Sequence, residues 1–206
     1  MIKDKINTYK PVSIKIANNN SNNIRVIDNF FTKEIHHEIS KLMDRPKWRL
    51  KGGNPENRFW HMDDLQSEDY FSHYLFELIQ DKLGINTKIR RIYANGQTVG
   101  QNGVPHADSY DDFSMTFLYY PNLEWKFTWG GHLSFLDARS DCEDTARKIR
   151  KEIQESTYLP VNITHSINYV PNRGILFPAN IWHYAHPPNR NFNGLRTSLA
   201  YKLELL

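Results

Sequence analysis

"VPHADSYDDFSMTFLYY", residues 104–120, sets a His-x-Asp spacing directly ahead of a run of β-formers. Residues two apart on an extended strand point to the same face. His106 and Asp108 can therefore share one ion. The following run, 113–120, has the aromatic and branched composition of a buried strand. The same spacing occurs at His61-Met62-Asp63, inside "RFWHMDDL". That copy has no Asn-Gly turn before it and no long strand soon after. It reads as surface or substrate-side polar structure. By itself His-x-Asp is too common a spacing to specify a metal, so its surroundings must decide.

Outward from this stretch the chain divides by hydrophobic period. "IRVIDNFF", 24–31, reads as a short strand entering a turn. A helix follows, capped by Thr32, with Ile35, Ile39, Leu42 and Met43 on one face and Pro46 at its end. A second helix starts near Ser67, with Phe71, Tyr74, Leu75, Leu78 and Ile79 facing inward and Gly84 closing it. From Lys88 the period becomes that of strands: 88–95, 113–120, 131–137, 166–170, 174–178 and 197–205. Helices followed by many short strands predict an α+β, mainly β jelly roll with helices packed outside. The expected organisation is a single domain over 1–206, with helical support at about 20–87 and a jelly-roll core at about 88–206. An insertion at about 137–162 interrupts the core, and much of it is helical in pattern (Ala146, Ile149, Ile153). The first 20 residues, ending in an Asn-rich patch, read as a loose head or surface turn.

Composition narrows the function. Net charge is +3, from 26 basic and 23 acidic residues. A nucleic-acid binder carries a stronger, clustered excess, so a nucleic-acid partner is not expected. Cys142 is the only cysteine, which excludes an intrachain disulfide and suits a reducing compartment. The amino end lacks the apolar stretch of a signal peptide, and no apolar run approaches ~18 residues, the length of a membrane span. The expectation is a cytoplasmic protein, bacterial or virus-encoded given the abundant Asn, Lys and Ile. No pattern sets a subunit number. Aromatic residues, 13% of the chain, suit a ring-lined pocket and a packed sandwich alike.

Three segments carry a family resemblance: "RIYANGQTVGQNGVPHAD" (91–108), "TFLYYPNLEWKFTWGGHLSFL" (116–136) and "NRGILFPANIWHYAHPPNRNFNGLRTSLAYK" (172–202). In order and spacing they resemble the Fe(II)/2-oxoglutarate-dependent dioxygenases, most closely the prolyl 4-hydroxylase-like branch. That resemblance implies a double-stranded β-helix with Fe(II) held by His106, Asp108 and a late histidine, the facial triad of non-haem iron oxygenases. His183 and His186 have opposite parity on one strand. The branch spacing of six residues after Phe177 implies His183, while other prolyl hydroxylases have the spacing that would select His186. The resemblance also implies 2-oxoglutarate as co-substrate, dioxygen, and ascorbate as an accessory reductant. Arg196 would hold the far carboxylate of 2-oxoglutarate, with Tyr120 beside it and Tyr93 and Ser198 lining the pocket. Tyr119, of opposite parity to Tyr120, reads as packing. His132 departs from the acidic residue expected after Gly130-Gly131. The implied activity is hydroxylation of a prolyl or other residue in a peptide or protein, with release of succinate and carbon dioxide. A small-molecule or nucleobase hydroxylase, or a non-enzymatic jelly-roll binding module, would use the same fold.

Overall fold

The computed structural model describes residues 24–52, 58–139, 142–155 and 161–206, so the proposed loose head lies outside the described residues. Among the described residues, ten strands form two antiparallel sheets. They are β1 (Arg25–Ile27), β2 (Arg49–Lys51), β3 (Phe59–Met62), β4 (Thr87–Gln97), β5 (Ser114–Tyr119), β6 (Leu133–Arg139), β7 (Ile163–Ile167), β8 (Gly174–Pro178), β9 (Ile181–Ala185) and β10 (Arg196–Leu205). The large sheet runs β1-β8-β5-β10-β4-β3-β2 and the small sheet β7-β6-β9. His106 adds an isolated bridge to β9 and so extends the small sheet toward the large one.

Period-two alternation in β10 explains how the layers form. Leu199, Tyr201 and Leu203 are buried against the helices, with Phe71, Leu75, Ile79 and Leu83 in the same core. Arg196, Ser198, Ala200 and Lys202 take the opposite parity, toward the space between the sheets. A second core fills that space, with Tyr120, Leu133, Phe135, Ile175 and Phe177. The result is a two-layer β body with a helical backing.

The first helix, α1 (Lys33–Met43), begins where expected, because the Thr32 hydroxyl accepts from the Ile35 amide at 3.4 Å. Asn172 ties its start to the sheet. Its amide accepts from the Phe31 N–H at 2.9 Å and donates to the Phe31 carbonyl at 2.8 Å. Tyr119 lies in the core, donating its hydroxyl to Asn172 at 2.9 Å and meeting His36 Nδ1 at 2.6 Å.

The second helix differs from its sequence pattern. Tyr70–Leu75 form a π-helical turn before α2 (Phe76–Leu83), and Tyr74 is 47% exposed. The wider turn, bonded i to i+5, leaves Phe71, Leu75, Ile79 and Leu83 as the buried stripe and swings Tyr74 outward. Gly84 closes α2 in the left-handed conformation at φ 61°, as its position predicts.

Two strand boundaries also differ. β7 ends at Ile167 rather than spanning 166–170. Tyr169 leaves the sheet to stack on Tyr120 at 4.1 Å and donate to the Thr197 carbonyl at 2.7 Å. The segment around His61, read as surface or substrate-side polar structure, is a strand, β3, paired with both β2 and β4. Met62 is buried in the helix-facing core, so its alternation is real but hidden among charged neighbours. The segment expected to be helical support therefore also contributes β1, β2 and β3 to the large sheet.

The insertion folds as α3 (Glu143–Glu155). Ala146 is buried against Leu136, Ala138 and Trp182, and Ile149 and Ile153 pack around them, which sets the helix on the small sheet.

Candidate metal centre and anion pocket

His106, Asp108 and His183 each offer a ligand atom, and these atoms lie within 4.8 Å of one another. The chain brings them together by simple means. The His106 N–H donates to the His183 carbonyl at 3.0 Å, and the His106 carbonyl accepts from the His183 N–H at 2.9 Å. Gly103 lets the strands close just before this, since a Cβ there would meet the Ala185 carbonyl oxygen at 2.7 Å. Asp108 is fixed by its amide, which donates to the Ala179 carbonyl at 2.8 Å.

Both imidazoles are oriented the same way. His106 Nδ1 lies 2.8 Å from the Val104 carbonyl, and His183 Nδ1 lies 2.9 Å from that of Ile181. A carbonyl only accepts, so Nδ1 carries the proton and each Nε2 keeps its lone pair. The two Nε2 atoms stand 3.4 and 3.5 Å from the Asp108 carboxylate oxygens. This is the arrangement of a metal site whose second shell sets the tautomer.

Burial works against charge on Asp108, but the Lys202 ammonium, then His183 and His106, hold its carboxyl well below the usual range. Lys202 forms an ion pair with Oδ2, and Thr116 donates to the same oxygen at 2.7 Å. Burial pushes His183 down to about 4, so it is neutral and able to bind a metal at physiological pH. Burial also holds His36 and His186 near 4. A histidine whose folded pKa lies below its unfolded value disfavours protonation in the native state, so the unfolded chain binds more protons between the two values. Stability is therefore expected to fall as pH drops from 6.5 toward about 4, with the loss complete below that. Urea unfolding of metal-free protein across this window checks the sign.

His186 is placed elsewhere. Its Nε2 meets Ser134 Oγ at 3.0 Å, and its ring stacks on His132 at 3.7 Å. His61 stacks on Phe59 at 5.0 Å and pairs across the strands with Asn95, outside the ligand cluster. Of the two His-x-Asp copies, only the later one meets a second imidazole.

Arg196, at the start of β10, is 1% exposed. Its Nε donates to the Gly131 carbonyl and its Nη1 to Gln97 Oε1, both at 2.9 Å. The guanidinium carbon lies 5.4 Å from the Tyr120 ring and 5.0 Å from that of Tyr169. Among the described residues, no carboxylate pairs with it. A buried cation whose hydrogen-bond partners are all neutral is costly unless an anion completes it. The Tyr120 hydroxyl is buried beside the Arg196 guanidinium, and among the described residues no other group reaches it. These two features fit an anionic group arriving from outside the chain. Gly131, at φ 78°, allows the close approach, because a Cβ there would lie 2.7 Å from Trp125 and 3.1 Å from Arg196 Nε.

A cavity of about 430 Å³ lies beside both features: His106 lines it, and so do Ser198 and Gln97, whose Oε1 accepts from Arg196. That is within the ~300–1,000 Å³ of small-molecule sites. Tyr93 lies deeper, its ring 5.7 Å from the Lys202 ammonium. The sequence reading did not anticipate Lys202, Thr116 or Gln97. Parity carried the signal: Lys202 shares a face with Arg196 and Ser198, and Thr116 shares one with Tyr120.

No protein-family model and no curated protein matches the sequence. Solved structures do resemble the fold. The non-heme alpha ketoglutarate dependent epimerase SnoN from nogalamycin biosynthesis superposes with a TM-score of 0.65 at 10% identity, over 89% of this chain and 78% of that one. HygX from Streptomyces hygroscopicus, solved with nickel and 2-oxoglutarate bound, gives 0.61 at 12% identity, over 90% and 84%. A Pseudomonas putida prolyl-4-hydroxylase gives 0.59 at 14% identity, over 89% and 92%. These three solved structures share this architecture, and the chain has their double-stranded β-helix fold.

Proposed function

We propose that the chain is an Fe(II)- and 2-oxoglutarate-dependent oxygenase that hydroxylates a prolyl or other residue in a peptide or protein, releasing succinate and carbon dioxide. The observation that carries this reading is one ligand cluster and one buried arginine with no carboxylate partner among the described residues, linked by a cavity that His106 and the arginine's partner Gln97 both line. Two neutral imidazoles and one carboxylate suit Fe(II) and leave coordination positions open. Bound iron, with the keto acid and dioxygen, supplies the oxidising power for C–H hydroxylation.

The protein's part is positioning. His106 and His183 present Nε2, and Thr116 and Lys202 hold Oδ2 of Asp108. Arg196 takes the distal carboxylate of 2-oxoglutarate through a planar, charged fork, and the Tyr120 hydroxyl finds its missing partner there. Ser198 and Tyr93 line the path. Fixing the keto acid before oxygen activation is an orientation effect. The sequence resemblance to prolyl hydroxylases is what favours a polypeptide substrate.

Incubation with Fe(II), 2-oxoglutarate, ascorbate and proline-containing peptide pools in air tests this. The expected result is iron-dependent succinate with a one-oxygen mass gain in a peptide. Succinate with no peptide change would remove the polypeptide substrate and keep the oxygenase. Purified protein that binds neither metal nor 2-oxoglutarate would remove both.

A further inference from the structure

The inserted helix brings a charge to the cavity that the chemistry above does not use. Arg150 of α3 lines the same cavity as His106, and among the described lining residues it is the only charged one. Two of its cationic neighbours on the helix are neutralised along the helix itself, while Lys148 lies away from the cavity lining. Arg147 pairs with Glu143 and Asp144, and Lys151 with Glu155. Arg150 has Ala146 and Gln154 at its four-residue spacings, and it has no ion pair or hydrogen bond among the described residues. The helix is anchored by Ala146, Ile149 and Ile153 on the small sheet, which holds Arg150 in place over the opening.

The balance of charge around the ligand cluster and Arg196 points the same way. A divalent ion and a dicarboxylate cancel one another. Asp108 is then left against two buried or partly buried cations, Arg196 and Lys202. With Arg150 at the opening, the loaded site carries an excess of positive charge. Apart from Asp108, no carboxylate contacts either buried cation among the described residues. Phe59, stacked on His61, gives the opening an aromatic wall.

We infer that the substrate is an anion, and that Arg150 receives a carboxylate of that substrate at the mouth of the cavity. This rests on the reading of the His106–Asp108–His183 cavity as the reaction site. Arg150 is then a specificity-determining residue, and the insertion is the element that supplies it. An acidic side chain of a peptide and a free organic acid present the same group, so both are tested.

Protein loaded with Mn(II) and 2-oxoglutarate, which does not turn over, is titrated with two fluorescein-labelled peptide pools. The pools match except that one has Asp and Glu where the other has Asn and Gln. A second arm uses phenylacetate against phenylacetamide as competitors. The acidic member is expected to bind more tightly in at least one arm, and that arm identifies the source. Arg150→Gln should reduce the preference by about fivefold at low ionic strength, an effect that salt weakens. Arg150→Glu should abolish or reverse it. Lys148→Gln removes one charge from the same helix away from the cavity lining and should keep the preference. Equal binding of acid and amide in both arms overturns the inference, as does a preference that survives Arg150→Glu. Mn(II) and 2-oxoglutarate binding are measured first on the same samples. Failure there overturns the oxygenase reading itself, and the two failures stay distinct.

Discussion

Asp108→Ala is expected to abolish divalent-metal binding and to lower the stability of the metal-free protein by about 3–5 kcal/mol. Two effects are combined. The first is loss of the anionic ligand, leaving two neutral imidazoles. The second concerns Lys202, whose ammonium sits against the Asp108 carboxylate with Thr116 Oγ1 3.2 Å away. Removing the carboxylate leaves that cation enclosed and unpaired, the costly way to break an ion pair. The double variant Asp108→Ala/Lys202→Met separates the effects. It should recover most of the stability and none of the metal affinity. Urea unfolding and Mn(II) titration by electron paramagnetic resonance read the two quantities. Single and double variants of equal stability would show that Lys202 does not depend on Asp108.

Arg196→Met is expected to weaken 2-oxoglutarate binding by about 30- to several-thousandfold, corresponding to the ~2–5 kcal/mol lost when one partner of a buried charge pair is truncated. Metal binding should stay near that of the parent, since Arg196 contacts Gly131 and Gln97 and none of the three ligands. Stability of the protein without 2-oxoglutarate should be unchanged or higher, because an enclosed cation with only neutral partners gives way to an apolar side chain of similar length. Arg196→Lys should not restore affinity, because an ammonium lacks the planar fork that meets both carboxylate oxygens. Calorimetric titration with 2-oxoglutarate checks the affinity, and thermal melts check the stability. A variant that is less stable and binds 2-oxoglutarate normally would make Arg196 a structural residue.

Some of this architecture is legible in the residue order, and some is not. The strands at 113–120 and 197–205 announce themselves because one face is apolar and packs against helices. The Thr32 cap and the Gly84 stop are local chemistry and fall where local rules put them. β3 escapes such reading because His61 and Asp63 carry charge or polarity on the side facing the opening. Asp63 pairs there with Lys51 and Arg91, a tertiary fact. The π turn at Tyr70–Leu75 escapes for another reason: a period of 3.6 cannot anticipate a local widening. At the site, the His-x-Asp spacing offered His106 and Asp108, the order of the surrounding motifs selected that copy, and the six-residue spacing after Phe177 selected His183. Lys202 was hidden because a lysine near the end of a chain reads as solvated. Only the pairing of β10 with β5, which sets Lys202 opposite Thr116, brings it to the metal cluster.

The most direct measurement is the visible absorption of the protein with Fe(II) and 2-oxoglutarate under strictly anaerobic conditions. The predicted result is a weak charge-transfer band that saturates with both components. Arg196→Met should need far more 2-oxoglutarate to reach it, and Asp108→Ala should never show it. No band from the parent protein at saturating iron and 2-oxoglutarate would contradict the assignment of His106, Asp108 and His183 as an iron centre that holds the keto acid.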